Sequence, residues 1–466
     1  MKNEEIWSEA RAGAVSVNPA TGDKISFYPW ISEAELEQRL AGANQAFEAW
    51  RDSSLPERTG LLNQLGASLT ANVPALSGLI TREMGKPIEQ ARQEVRKCAG
   101  LCHWYAENLE RMLQEETIDV AGDGRATVSL QPLGCVLGVM PWNFPVWQVL
   151  RAAVPIIASG NTFLLKHADN VQGSALELLR TMKDAGLPDG VFDVLNVHYS
   201  KVPDILADPR IVGVSATAGV RAGAAIASAA AVKLKKSLLE LGGSDPFIVL
   251  ADADFDAALD AAIVARFQNT GQVCIAAKRI IIERPIAADF IRQFTERANS
   301  LLVGDPFALE TNLGPMARRR LVDELHNQVQ ASVDMGATLL CGGAPIHGPG
   351  AYYPATVLSD VTSDMPVFRE ETFGPVAAIT VAGSPEQAID LANDSEFGLS
   401  ASLWTGDRDR GEHLARQIRT GSVFVNGVSV SDPRIPIGGI KNSGYGRELS
   451  YFGLCAFSNI QMRWIR

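Results

Sequence analysis

The chain is 466 residues long, 46% apolar and 20% charged, with 41 Gly, 24 Pro and 7% aromatic residues. That composition excludes disorder, collagen and coiled coil, and the length accommodates two or three domains with a large core. Lys and Arg total 42 against 53 Asp and Glu, a formal net charge of −11, which disfavours nucleic acid and anionic membranes as partners, so an anionic ligand has to be held by local donors.

Met1 to Arg11 carries Glu4, Glu5 and Glu9 and no apolar segment, so it does not read as a secretory signal and the expected location is cytoplasmic. From Ser32 to about Arg111 the pattern is helical, with acidic starts after Ser32 and Pro56 and Ala and Leu at 3.6-residue spacing. Cys98 and Cys102 lie one helical turn apart beside His103, but no second pair follows at ligand spacing. They read as buried thiols, and no metal is expected. The six cysteines are too few and too unevenly spaced for a disulfide framework. The uncharged run Ala126 to Leu150 is long enough to match a bilayer. Its Pro132, Gly134, Gly138, Pro141, Asn143 and Pro145 would break a lipid-exposed helix, so it reads as buried strand and loop.

Short β-rich segments follow at Cys135 to Met140, Thr162 to Lys166, Phe192 to Asn196, Ile211 to Ser215 and Leu238 to Leu241, separated by helical stretches such as Val171 to Ala185 and Val220 to Ala231. A second alternation has strands at Phe247 to Leu250, Arg279 to Glu283, Thr338 to Cys341, Ala377 to Val381, Ala401 to Trp404 and Ser422 to Asn426. Its helices fall at Phe255 to Asn269, Ala287 to Ser300, Arg318 to Asp334, Pro385 to Asp394 and Arg408 to Gln417. Such alternation predicts two doubly wound α/β lobes with a cleft between them. Ala126 to Leu130 and Ala456 to Ile465 belong to neither lobe, and orphan strands of this kind often pair across a subunit interface.

Three segments carry chemistry. Phe267 to Cys274 is a helical pattern that stops in small and polar residues and delivers a thiol, which could be a nucleophile at a loop tip or an inert buried cysteine. Leu239-Glu240-Leu241-Gly242-Gly243 sets a carboxylate at an apolar strand end. Desolvation there would raise its pKa toward that of a general base, whereas a solvated strand end would leave it ordinary. Met140-Pro141-Trp142-Asn143-Phe144-Pro145 locks one amide between prolines, either as a preorganised oxyanion donor or as a turn-forming Asn.

In this order, the three segments resemble the aldehyde dehydrogenase superfamily. The resemblance runs from Asn18-Pro19-Ala20-Thr21-Gly22 through Glu370-Glu371-Thr372-Phe373-Gly374-Pro375 to Gly438-Gly439-Ile440-Lys441-Asn442-Ser443-Gly444-Tyr445-Gly446-Arg447-Glu448. It implies a Rossmann-like NAD-binding domain (residues 1–113 and 133–242), a catalytic domain (243–442) and small β oligomerisation segments (114–132 and 443–466), with a homodimer or homotetramer expected. It also implies a cycle in which Cys274 attacks an aldehyde, Asn143 and the Cys274 backbone N–H hold the oxyanion, hydride leaves for the nicotinamide, and water activated by Glu240 hydrolyses the thioester. The presence of Glu240 argues against acyl transfer to CoA.

No G-x-G-x-x-G follows a strand. Where the family usually reads Thr-Gly-Ser and then Gly, this chain has Thr217-Ala218-Gly219 and then Gly223, so one phosphate donor is missing. By resemblance Lys166 meets the adenine ribose, Glu371 the nicotinamide ribose, Phe373 the nicotinamide and Trp142 the adenosine side, with Met140, Pro141 and Leu241 beside them. The usual Lys-Pro-Ser/Ala-Glu appears as Lys166-His167-Ala168-Asp169, and Asp169 near the ribose 2′-oxygen predicts NAD preferred and NADP tolerated.

The similarity is nearest to short bacterial NAD(P)-dependent succinate semialdehyde dehydrogenases. It implies that Arg151 forks onto the substrate's distal carboxylate, that Gln268 stands where a second arginine is common, that the Ser431 hydroxyl helps, and that Arg434 could replace some of the lost charge. A broader dehydrogenase of glutarate semialdehyde or uncharged aldehydes, and more distantly a catalytically silent protein on the same fold, are the alternatives.

Overall fold

The computed structural model describes residues 10–120 and 124–465. Glu4, Glu5 and Glu9 of the charged amino terminus lie outside the described residues. The chain opens on an antiparallel hairpin, Gly13–Val17 with Lys24–Pro29, which the sequence reading did not include. A helical layer follows in the expected stretch: Glu33–Trp50, Leu55–Ala71, Val73–Met84 and Ile88–Met112. Ser32 and Ser54 start the first two through capping boxes with Glu35 and Glu57, each satisfying backbone N–H groups that the helix itself leaves unpaired. Gly85, at φ 81°, ends the third in the left-handed conformation a glycine adopts at least expense.

The first sheet runs in the order Gly444–Tyr445, Lys236–Glu240, Ile211–Thr217, Cys135–Met140, Thr162–His167, Phe192–Val194. It is parallel apart from its Gly444–Tyr445 edge. Every residue of Thr162–His167 is buried, as expected of a strand covered by helices on both faces. The tail expected to serve oligomerisation thus begins inside the first lobe. The second sheet runs Thr338–Cys341, Thr356–Ser359, Val376–Ala382, Ala277–Glu283, Asp245–Val249, Ser400–Trp404, Ser422–Val425, with only Thr338–Cys341 antiparallel.

Two expectations are corrected. The orphan strands find each other within the chain: Ser458–Ile465 pairs antiparallel with Arg125–Pro132, which pairs with Glu116–Asp119. The end of the apolar run Ala126 to Leu150 is not strand or loop, because Trp147–Ala158 is a helix. All its residues are buried and Pro155 stands inside it, so it has neither an exposed polar face nor an unbroken helical run to mark it. No described helix is long and apolar enough to cross a membrane.

Candidate active site

Cys274 follows a strained turn. The helix Phe255–Phe267 ends, and Asn269, Thr270 and Gly271 take φ values of 52°, 55° and 71° in succession, a conformation that is unfavourable for a β-branched residue such as Thr270 and persists only when its surroundings enforce it. They do. Asn269 Nδ2 donates to the carbonyls of Asn143 (2.9 Å) and Gln272 (3.2 Å), its backbone N–H donates to Gln90 Oε1 (2.7 Å), and Thr270 Oγ1 donates to Gly314 O (3.2 Å). A Cβ at position 271 would overlap the Gly374 carbonyl. The thiol is half-buried. Burial pushes it up to about 11, while Arg151 and Lys278 pull it down.

Asn143 is 4% exposed; its Nδ2 donates to Gln272 O at 3.1 Å and its Oδ1 has no partner. The side-chain amide is therefore aimed at the loop that carries the thiol. His167, where the family usually has proline, braces this turn. It stands between the carbonyls of Met140 (3.2 Å) and Pro145 (2.9 Å), and burial lowers its imidazole to about 4, keeping it neutral.

Glu240 ends the strand Lys236–Glu240, 2% exposed, with Oε1 unpartnered. Burial pushes its carboxyl up to about 8, with Arg151 pulling against the shift and Glu448 adding to it. A carboxyl poised there suits proton abstraction near neutral pH. Arg151 Nε pairs with Glu448 Oε2, and Ser215 donates to Glu448 Oε1 at 3.2 Å. The guanidinium expected to be open for substrate is thus already engaged, a correction that follows from burying it beside two carboxylates.

Two cavities meet at Cys274. The first, about 190 Å³, brings together Pro141, Trp142, Asn143, Ala218, Gly219 and Leu241 with Glu371 and Phe373. Trp142 and Phe373 pack edge-to-face at 5.7 Å, and Glu371 Oε1 accepts the Gly243 N–H (3.0 Å) and lies 3.3 Å from Lys278 Nζ. Gly219 starts the helix Val220–Val232 with no side-chain cap, and the buried Thr217 Oγ1 in the same lining has no partner. Free N–H groups at a helix start beside an orphan hydroxyl fit a diphosphate, so the cavity suits a dinucleotide. Gly223 does not line it. A Cβ there would overlap the Leu241 side chain, so this glycine permits close helix–strand packing. Met140 and the Lys166–Asp169 ion pair (2.6 Å) also lie outside the lining.

The second cavity, about 210 Å³, is lined by Lys97, Gln148, Arg151, Gln268, Cys274 and Ser431 among others. Arg434 does not reach it; its guanidinium forks onto Asp432 at 2.7–2.8 Å, so its expected replacement of lost charge has no geometric basis. A larger hollow of about 1410 Å³ beside the helical layer contains none of the motif residues.

Sequence reasoning missed Glu94 and Lys97. Glu94 Oε1 accepts the N–H groups of Val146 (2.9 Å) and Trp147 (3.0 Å), so it caps the helix that carries Gln148 and Arg151, and its Oε2 pairs with Lys86. The available signal was periodicity: Gln90, Gln93, Glu94 and Lys97 share one face of Ile88–Met112, and all four line the second cavity.

A thiol between a cavity whose helix start and orphan hydroxyl suit a phosphate and a second cavity, with a base and an amide donor beside it, is the apparatus of an aldehyde-oxidising dehydrogenase. The chain belongs to the aldehyde dehydrogenase family, whose sequence model matches residues 7–463. It is 51% identical to succinate semialdehyde dehydrogenase [NAD(P)+] of Escherichia coli (strain K12), over 97% of both chains. It is 43% identical to succinate-semialdehyde dehydrogenase [NADP(+)] of Mycobacterium avium (strain 104), over 97% of this chain and 96% of that one. Among solved structures it superposes with a TM-score of 0.95 on succinic semialdehyde dehydrogenase from Streptococcus pyogenes in complex with NADP+, at 34% identity over 97% of this chain and 99% of that one.

Proposed function

We propose that the chain oxidises succinate semialdehyde to succinate. The observation that carries this reading is the cavity ending at Cys274, whose lining presents the cations Arg151 and Lys97 in a chain of net charge −11. The names of the relatives point the same way.

Cys274, once deprotonated, adds to the carbonyl carbon, and Asn143 Nδ2 turns from Gln272 O to hold the oxyanion with the Cys274 N–H. A nicotinamide cofactor held by Trp142, Thr217, Gly219, Leu241, Glu371 and Phe373 supplies the hydride acceptor. Glu240 then takes a proton from the water that attacks the Cys274 thioester, releasing the acid and restoring the thiol.

The expected preference for NAD over NADP has no support. The relatives carry NADP(+) or NAD(P)+ in their names, and the charge of Asp169, on which the expectation rested, is offset by Lys166 at 2.6 Å. We therefore assign NADP as a cofactor, with NAD as an alternative. Exposed Ile460, Met462 and Trp464 on the three-stranded sheet support association of copies into a homodimer or homotetramer, and the proposed setting is cytoplasmic.

Initial rates with succinate semialdehyde and butanal, each with NADP and NAD, test the reading. A kcat/KM at least about tenfold higher for succinate semialdehyde supports it, because the distal carboxylate is the sole recognition handle that differs. Equal values would overturn it.

A further inference from the structure

We propose that Lys97, steadied by Ser431, is the residue that selects ω-carboxylated aldehydes by binding the substrate's distal carboxylate, while Arg151 serves Glu240. The inference rests on the proposed oxidation of succinate semialdehyde and names the cation responsible.

Lys97 extends from the helix Ile88–Met112 into the cavity that ends at Cys274. Its ammonium lies 4.1 Å from the Trp147 ring centroid and donates to Ser431 Oγ at 2.8 Å. Among the described residues it has no carboxylate within ion-pair distance. The nearby acids are engaged elsewhere: Glu94 with Lys86 and two backbone N–H groups, and Asp432 with Arg434. Lys97 is exposed, so its ammonium is open to an incoming anion, and desolvation by the surrounding protein lowers it only to about 8, which leaves it a cation at neutral pH. Arg151, by contrast, pairs with Glu448 and lies 3.7 Å from Glu240 Oε2. Gln268 lines the same cavity without charge. Lys97 is therefore the cation in this lining whose charge is not already matched, and an ammonium beside a hydroxyl donor is a sound carboxylate receptor.

The test uses the full chain saturated with NADP and compares wild type, Lys97→Met, Lys97→Arg and Ser431→Ala on succinate semialdehyde and butanal. Lys97→Met is expected to raise the KM for succinate semialdehyde about 10- to 100-fold with a far smaller change in kcat, since one charge-assisted contact is lost. The butanal constants should move by less than about threefold, as butanal has no carboxylate to lose. Lys97→Arg keeps the charge and should restore most of the difference. Inhibition by succinate should weaken in parallel with KM. Ser431→Ala leaves the helix untouched and should raise the same KM several-fold.

An unchanged KM for succinate semialdehyde in Lys97→Met, or an equal loss on both substrates with no rescue by Lys97→Arg, would overturn the assignment. If Lys97→Met fails to fold, an unchanged KM in Ser431→Ala would overturn it instead. A wild type that does not prefer succinate semialdehyde would overturn the functional reading itself.

Discussion

Arg151 Nη2 stands 3.7 Å from Glu240 Oε2, with both side chains 2% exposed. The guanidinium opposes the burial that raises the carboxyl, so the pair sets the pH at which the base becomes available.

With a value near 8, only about a tenth of Glu240 is ionised at pH 7, and deacylation should quicken as pH rises through about 8. Arg151→Leu removes the positive charge that lowers the carboxyl, so the inflection should move to higher pH and turnover at pH 7 should fall for butanal as well as for succinate semialdehyde. Profiles of kcat between pH 6 and pH 9.5 decide it; an identical inflection in the variant would detach Arg151 from the base.

Glu240→Gln should give a first-turnover burst of reduced cofactor and then stall, because thiol addition and hydride loss need no activated water. Stopped-flow absorbance at 340 nm reads the burst. A slow, burst-free time course would place Glu240 earlier, in deprotonating Cys274.

Removing one oxyanion donor costs on the order of 10²–10³ in rate. Asn143→Ala should show a fall of that size in kcat, and Cys274→Ala should lose oxidation and esterase activity altogether while still binding NADP. Since Asn143 Oδ1 has no partner, Asn143→Ala leaves no protein donor stranded there, and a large drop in melting temperature would point to a structural role instead.

Glu94→Gln leaves the buried Lys86 cation unpaired and weakens the cap on Trp147–Ala158. Breaking a buried pair typically costs about 3–5 kcal/mol, so a lower melting temperature should accompany slower turnover of both aldehydes. Thermal unfolding at unchanged Tm would show that the pair is dispensable.

The parallel strands were legible because apolar runs bounded by turn residues leave few alternatives: Cys135–Met140 falls where the sequence places it, and Thr162–His167 ends one residue beyond. Cys274, Glu240 and Asn143 stood out as polar residues at the ends of apolar segments. The helix Trp147–Ala158 did not, because its polar residues Gln148 and Arg151 are buried and Pro155 stands inside it, where a proline reads as a breaker. Lys97 and Ser431 are 334 positions apart, and no local pattern announces a contact made only when the lobes come together. The same holds for Arg151 and Glu448: an arginine in sequence carries no sign that its charge will be matched.

The turn before Cys274 is held in its left-handed run by Gln90 and Asn143 from the first lobe and by Gly314 and Gly374 from the second. Neither half of the chain alone contains what keeps the nucleophile in place. The amide of Asn143 and the carboxyl of Glu240 come from the first lobe and the thiol of Cys274 from the second, so a competent site exists only where both halves of the chain stand together.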